Sequence, residues 1–70
     1  MQYNKLHPYY YAIPIYLAAS NISYSVIAKC LGVTVSEFIE KIIGLKDFTN
    51  EEAIALSTFL NKTQDEIFLT

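Results

Sequence analysis

Seventy residues are enough for one domain with one modest core and too few for two. A single cysteine excludes an internal disulfide and a single histidine leaves no cluster of zinc-ligand spacing, so stability has to come from packed apolar side chains. Five lysines and no arginine against seven carboxylates give a formal net charge of -2, without the basic excess that DNA-binding domains turn toward phosphates, while an apolar fraction of 53% leaves some apolar surface facing outward.

From the N-terminus, residues 1–12 read as an irregular, tyrosine-rich tail, because Asn4, His7-Pro8 and Tyr9-Tyr10-Tyr11 follow no helical or strand period. The apolar stretch from Tyr9 to Ala19 is 11 residues long and contains Pro14, whereas a membrane span needs about 20. The start of the chain also lacks the basic region and unbroken apolar block of a secretory signal. These features predict a cytoplasmic protein with no membrane partner.

Residues 13–70 read as the folded domain. Proline is favoured in the first turn of a helix, so Pro14 places the first helix from about Ile13 to Ser20, with Asn21 as a left-handed cap and Ile13 and Leu17 on one face. Ser23 is a good N-cap for a second helix, Tyr24 to Leu31, with Ile27, Ala28 and Leu31 on its apolar side and Gly32 as its stop. After the short bend Gly32-Val33-Thr34, the run Thr34-Val35-Ser36-Glu37 is a capping box, and it opens a third helix that ends at Gly44. Thr49-Asn50-Glu51-Glu52 repeats the device for a fourth helix from Asn50 to Leu60. Thr63-Gln64-Asp65-Glu66 repeats it again for a short fifth helix ending near Leu69. The fold class predicted is therefore all-α, with five helices.

No nucleophile sits beside a base, no carboxylates are paired for acid–base work, and no Gly-rich loop is present to cradle phosphate. The expectation is a protein that is not an enzyme and holds no cofactor or metal. Cys30 reads as a small buried hydrophobe and His7 as a solvated or loosely packed ring. Glu51-Glu52 reads as favourable charge at a helix N-terminus.

In order and spacing, Ile22-Ser23, Ile27-Ala28 and Leu31-Gly32-Val33-Thr34 resemble the helix-turn-helix core of the lambda-repressor and Cro superfamily. The likeness continues through Lys41 to Thr49, then Glu52-Ala53, Leu56, Leu60-Asn61 and Asp65-Glu66-Ile67-Phe68, and is strongest to small regulators of phages and mobile elements of low-GC bacteria. The resemblance implies a five-helix lambda-repressor-like domain with a core of Leu17, Ile22, Ile27, Ala28, Leu31, Val33, Phe38, Ile42, Leu56, Leu60, Ile67 and Phe68. It also implies that the third helix is the functional one. In that superfamily this helix enters the major groove, and its outward positions correspond here to Val35, Ser36, Glu37, Ile39 and Glu40.

Two functions compete for that helix. With Phe38 and Ile42 turned inward, Val35, Ile39 and Ile43 form an aliphatic stripe at i, i+4 and i+8, margined by Glu37 and Glu40. Such a stripe predicts a protein interface, either self-association or contact with another protein such as a repressor, in the manner of an antirepressor, with Tyr9, Tyr10, Tyr11 and Tyr16 as anchors or rim. The alternative is a sequence-specific DNA-binding transcriptional regulator that reads with Ser36 and is anchored on phosphate by Tyr24, Lys41 and Lys46. The charge balance disfavours it.

Overall fold

The computed structural model describes residues 5–69, so residues 1–4 of the predicted tail lie outside it. Its elements are α1 (Ala12–Ala19), α2 (Tyr24–Leu31), α3 (Val35–Ile43), α4 (Asn50–Leu60) and α5 (Gln64–Ile67), with no strand among the described residues. Most boundaries have a local chemical cause. The Ser23 hydroxyl accepts from the Val26 amide at the start of α2. Thr34 with Glu37, Thr49 with Glu52 and Thr63 with Glu66 form reciprocal capping boxes, each satisfying two amides that a helix start leaves unbonded. Gly32 and Gly44 end α2 and α3 at positive φ, while Asn21 and Asn61 take the same left-handed conformation after α1 and α4.

Three boundaries shift from the expectation, one of them the end of the first helix, which falls at Ala19 rather than Ser20. The first helix begins at Ala12 rather than Ile13, which puts Pro14 third in the helix, still inside the first turn where no intrahelical amide bond is lost. The last helix ends at Ile67, short of Leu69.

Helix α2 packs on α3 and α4, and α5 closes against α4 and α1. Between them lie the fully buried side chains of Ile13, Leu17, Ile27, Phe38, Leu56 and Ile67, with Ala28, Ile42 and Leu60 nearly as deep. Ile22, Leu31, Val33 and Phe68 pack against this cluster from partly buried positions, so all twelve expected core residues belong to it or lean on it. A run of aromatic contacts crosses the core: Tyr24 meets Phe38 edge-on, Phe38 meets Phe48, and Phe48 meets Phe68.

The described part of the tail, residues 5–11, is an ordered strap. Its Leu6 amide donates to the Gly44 carbonyl (2.6 Å) and its Tyr10 amide to the Ile42 carbonyl (3.0 Å), so it runs along the C-terminal end of α3. His7 is not solvated. Its side chain is 9% exposed and stacks on Tyr10 with ring centroids 4.0 Å apart. Cys30 goes the other way and lies exposed on α2. No helix among the described residues is long and apolar enough to cross a membrane.

Candidate interaction site

Helix α3 presents its residues in three zones. Phe38 and Ile42 turn into the core, and Lys41 joins them. Val35, Ser36 and Ile39 are exposed, with 37% of Val35 and 39% of Ile39 open to solvent. Ile43, at the end of the aliphatic stripe, is half-buried, where the strap bonds to the carbonyls on either side of it. The stripe is therefore open over its first two members and partly covered at its third.

The charged residues around the stripe are committed to internal partners. The Glu37 carboxylate accepts from the Thr34 amide (3.2 Å) and the Thr34 hydroxyl (3.1 Å). These bonds, with a contribution from Lys46 and Lys41, hold its carboxyl below the ordinary range. The Glu40 carboxylate lies 3.3 Å from the Lys46 ammonium. The backbone makes that pairing easy: the Glu40 carbonyl accepts from the amides of Gly44, Leu45 and Lys46, folding the chain back so that Lys46 returns over Glu40.

Lys41 corrects the expectation of a phosphate contact. It is 7% exposed, its ammonium donates to the Glu52 carboxylate, and it lies 5.9 Å from the Phe48 ring centroid. Position 41 is three residues after Phe38 and shares its inward flank, so a lysine there reaches the N-terminus of α4 rather than solvent. The same Glu52 oxygen accepts from the Thr49 amide (2.9 Å), so one carboxylate closes the α4 cap and neutralises the buried ammonium. Burial alone would raise the Glu52 carboxyl; the Lys41 and Thr49 bonds outweigh it and lower the carboxyl below its ordinary value.

Of the residues expected to touch DNA, then, Ser36 is exposed at the start of α3, Lys46 is exposed but tied to Glu40, Lys41 is buried, and Tyr24 is half-buried against Phe38. Burial and the neighbouring Tyr9 raise the Tyr24 hydroxyl further above its ordinary value, leaving it a neutral group. The expected tyrosine rim divides as well. Tyr9 and Tyr11 are exposed, whereas Tyr10 and Tyr16 pack against the core, with the Lys62 ammonium 5.0 Å from the Tyr16 ring centroid.

Other exposed apolar residues escaped the sequence reading. Leu6 on the strap, Ile15 on α1, Val26 on α2 and Ile54 and Phe59 on α4 are all more open than Ile39. Their signal was present in outlying helical phases, but helices carrying apolar residues on most sides hide it. On α3 the segregation of polar and apolar faces is sharp, which is why its stripe was visible.

Compared with models of known protein families, with curated proteins and with solved structures, the chain matches none.

Proposed function

We propose that this chain is a small regulatory protein that acts by protein contact through α3, on a scaffold resembling the lambda-repressor and Cro superfamily, in the manner of an antirepressor or antagonist. The observation that carries this reading is the internal commitment of the cations on α3 and in the turn that follows it. Lys41 is spent on Glu52 and Lys46 on Glu40, beside two exposed aliphatic side chains. Phosphate binding draws its affinity from cations that release counterions, and a buried paired ammonium releases none. Val35 and Ile39, by contrast, lose water when a partner covers them, which is the usual driving force at the middle of a protein interface.

The competing reading is a DNA-binding regulator of the Cro type, favoured by the exposure of Ser36 at the N-terminal end of α3. Titration against random-sequence duplex at physiological salt separates the two. Protein contact predicts a Kd weaker than the roughly 10⁻⁴ to 10⁻⁶ M of non-specific DNA binders. Micromolar binding with a steep salt dependence overturns it. Glu40→Lys adds a second arm, since it removes the partner of Lys46 and leaves one free cation on α3 and another in the turn just after it. If that single change creates tight duplex binding, α3 is a groove-reading helix whose phosphate contacts had been disarmed.

A further inference from the structure

The strap is fastened to the end of α3 by two backbone bonds and one side chain, and the side chain is the unusual part. Between the Leu6 and Tyr10 amides, His7 turns inward with Nδ1 2.7 Å from the Pro8 carbonyl oxygen and Nε2 2.9 Å from the Lys46 carbonyl oxygen. A carbonyl oxygen only accepts. A neutral imidazole carries one N–H and one lone pair, so it can serve one of these oxygens while setting its lone pair against the other. Only the imidazolium donates to both. Three neighbours favour the same charge. The Asp47 carboxylate lies 3.7 Å from Nε2, and the Tyr10 ring stacks on the imidazole at an interplanar angle of 14°. The third is the carbonyl-bearing C-terminal end of α3, where a helix concentrates partial negative charge.

We propose that the strap is a proton-operated latch: the His7 imidazolium holds residues 5–11 on the C-terminal end of α3, and loss of that proton releases them. The latch stands independently of what α3 binds. A ring that has lost one proton sets a lone pair against either the Pro8 or the Lys46 oxygen, so the docked strap loses one of its two side-chain bonds. The other charged groups nearby are already occupied. Lys46 turns its ammonium to Glu40 and Lys41 is held by Glu52, while α5 contributes the uncharged Phe68 ring, 4.9 Å from Tyr10. The Tyr10 hydroxyl, raised by burial and by Asp47, stays protonated at neutral pH. Release withdraws Tyr10 from Phe48 and Phe68 and the strap from beside Ile42 and Ile43, so the open form carries a larger apolar face.

Amide exchange on the full chain tests the latch, read at Leu6 and Tyr10 and corrected for intrinsic exchange at each pH, with Phe38 as the core control. Between about pH 5.5 and pH 8 the protection of the two strap amides is expected to fall about tenfold or more while Phe38 is unchanged. The ¹⁵N shifts of the His7 ring should report protons on both nitrogens at the lower pH. His7→Phe keeps a ring on Tyr10 and removes both donors, so its strap protection should be low and independent of pH. Asp47→Asn should weaken protection at the lower pH without abolishing it. A neutral His7 ring at about pH 5.5 in the folded chain overturns the proposal. So does wild-type protection in His7→Phe, strap protection equal at both pH values, or strap amides unprotected at both.

Discussion

The starts of α3, α4 and α5 and the strap of residues 5–11 are fixed by the same kind of bond at very different distances along the chain. In each capping box a threonine and a glutamate three residues apart complete one another, so the geometry is written in four consecutive residues. In the strap, the His7 ring reaches an oxygen 39 residues away, and no short stretch of sequence contains both ends. Local pairs specify where helices begin before any tertiary contact exists. The strap has a place only once α3 is already there.

The comparison breaks most severely if the core on which both depend is opened. Phe38→Ala, at a fully buried position, is expected to cost about 3–5 kcal/mol in chemical denaturation. Next comes the one capping box that also serves a distant partner. Glu52→Ala leaves Lys41 buried without a counter-charge, at a cost on the order of 3 kcal/mol, whereas Thr63→Ala in the exposed α5 box removes one purely local cap and costs about 1 kcal/mol. If the two cost the same, the long-range role of Glu52 is wrong. The glycines sharpen the contrast further. Both hold positive φ, so alanine at either costs roughly 1–2 kcal/mol of backbone strain. At Gly32 the space for a Cβ is open, but at Gly44 it would collide with the His7 carbonyl, so Gly44→Ala alone is expected to strip protection from Leu6 and Tyr10. Ile39→Ala should change folding stability least, by less than about 1 kcal/mol, because a good part of that side chain already meets water. Its effect belongs in association, read by sedimentation of the chain alone and with a partner. A melting loss as large as that of Phe38→Ala would make the stripe core rather than interface.

Acid sharpens the same contrast from the other side. Glu37, Glu52 and Glu66 all have carboxyls lowered from an ordinary value of 4.5. Their contribution is therefore complete above that value and is lost as pH falls through the lowered folded-state values. Glu52→Gln should flatten the acid limb of a stability–pH curve more than Glu66→Gln does, because only Glu52 is tied to a buried ammonium as well as to its cap.

This difference in range explains what could be read from the sequence. Five helices, three capping boxes and the glycine stops are near-neighbour chemistry, and the twelve expected core residues are the ones the resemblance implies. Lys41 was misplaced because its residue type argues for solvent while its phase, three after Phe38, argues for the interior. The phase won, since Glu52 was waiting across the helix pair. His7 and Tyr10 were misjudged for the opposite reason: the tail has no period of its own, and its order comes from carbonyls at Ile42, Gly44 and Lys46 that no local pattern announces. On α3, Val35 and Ile39 were correctly separated from Phe38 and Ile42, but the partial cover over Ile43 depended on that same strap.

The strap also sets an order of assembly. Joining His7 to Lys46 closes a loop of about 39 residues, an entropy cost of roughly 3 kcal/mol that no helix-internal bond incurs. Helices α2 to α4, adjacent in sequence, can gather first, and the strap arrives on a surface they have made. The strap, though it precedes those helices in the chain, is thus the last segment to find its seat, with Tyr9, Tyr10 and Tyr11 exposed in the meantime. Pulsed exchange during refolding should accordingly show the Leu6 and Tyr10 amides gaining protection after those of Ile27 and Phe38.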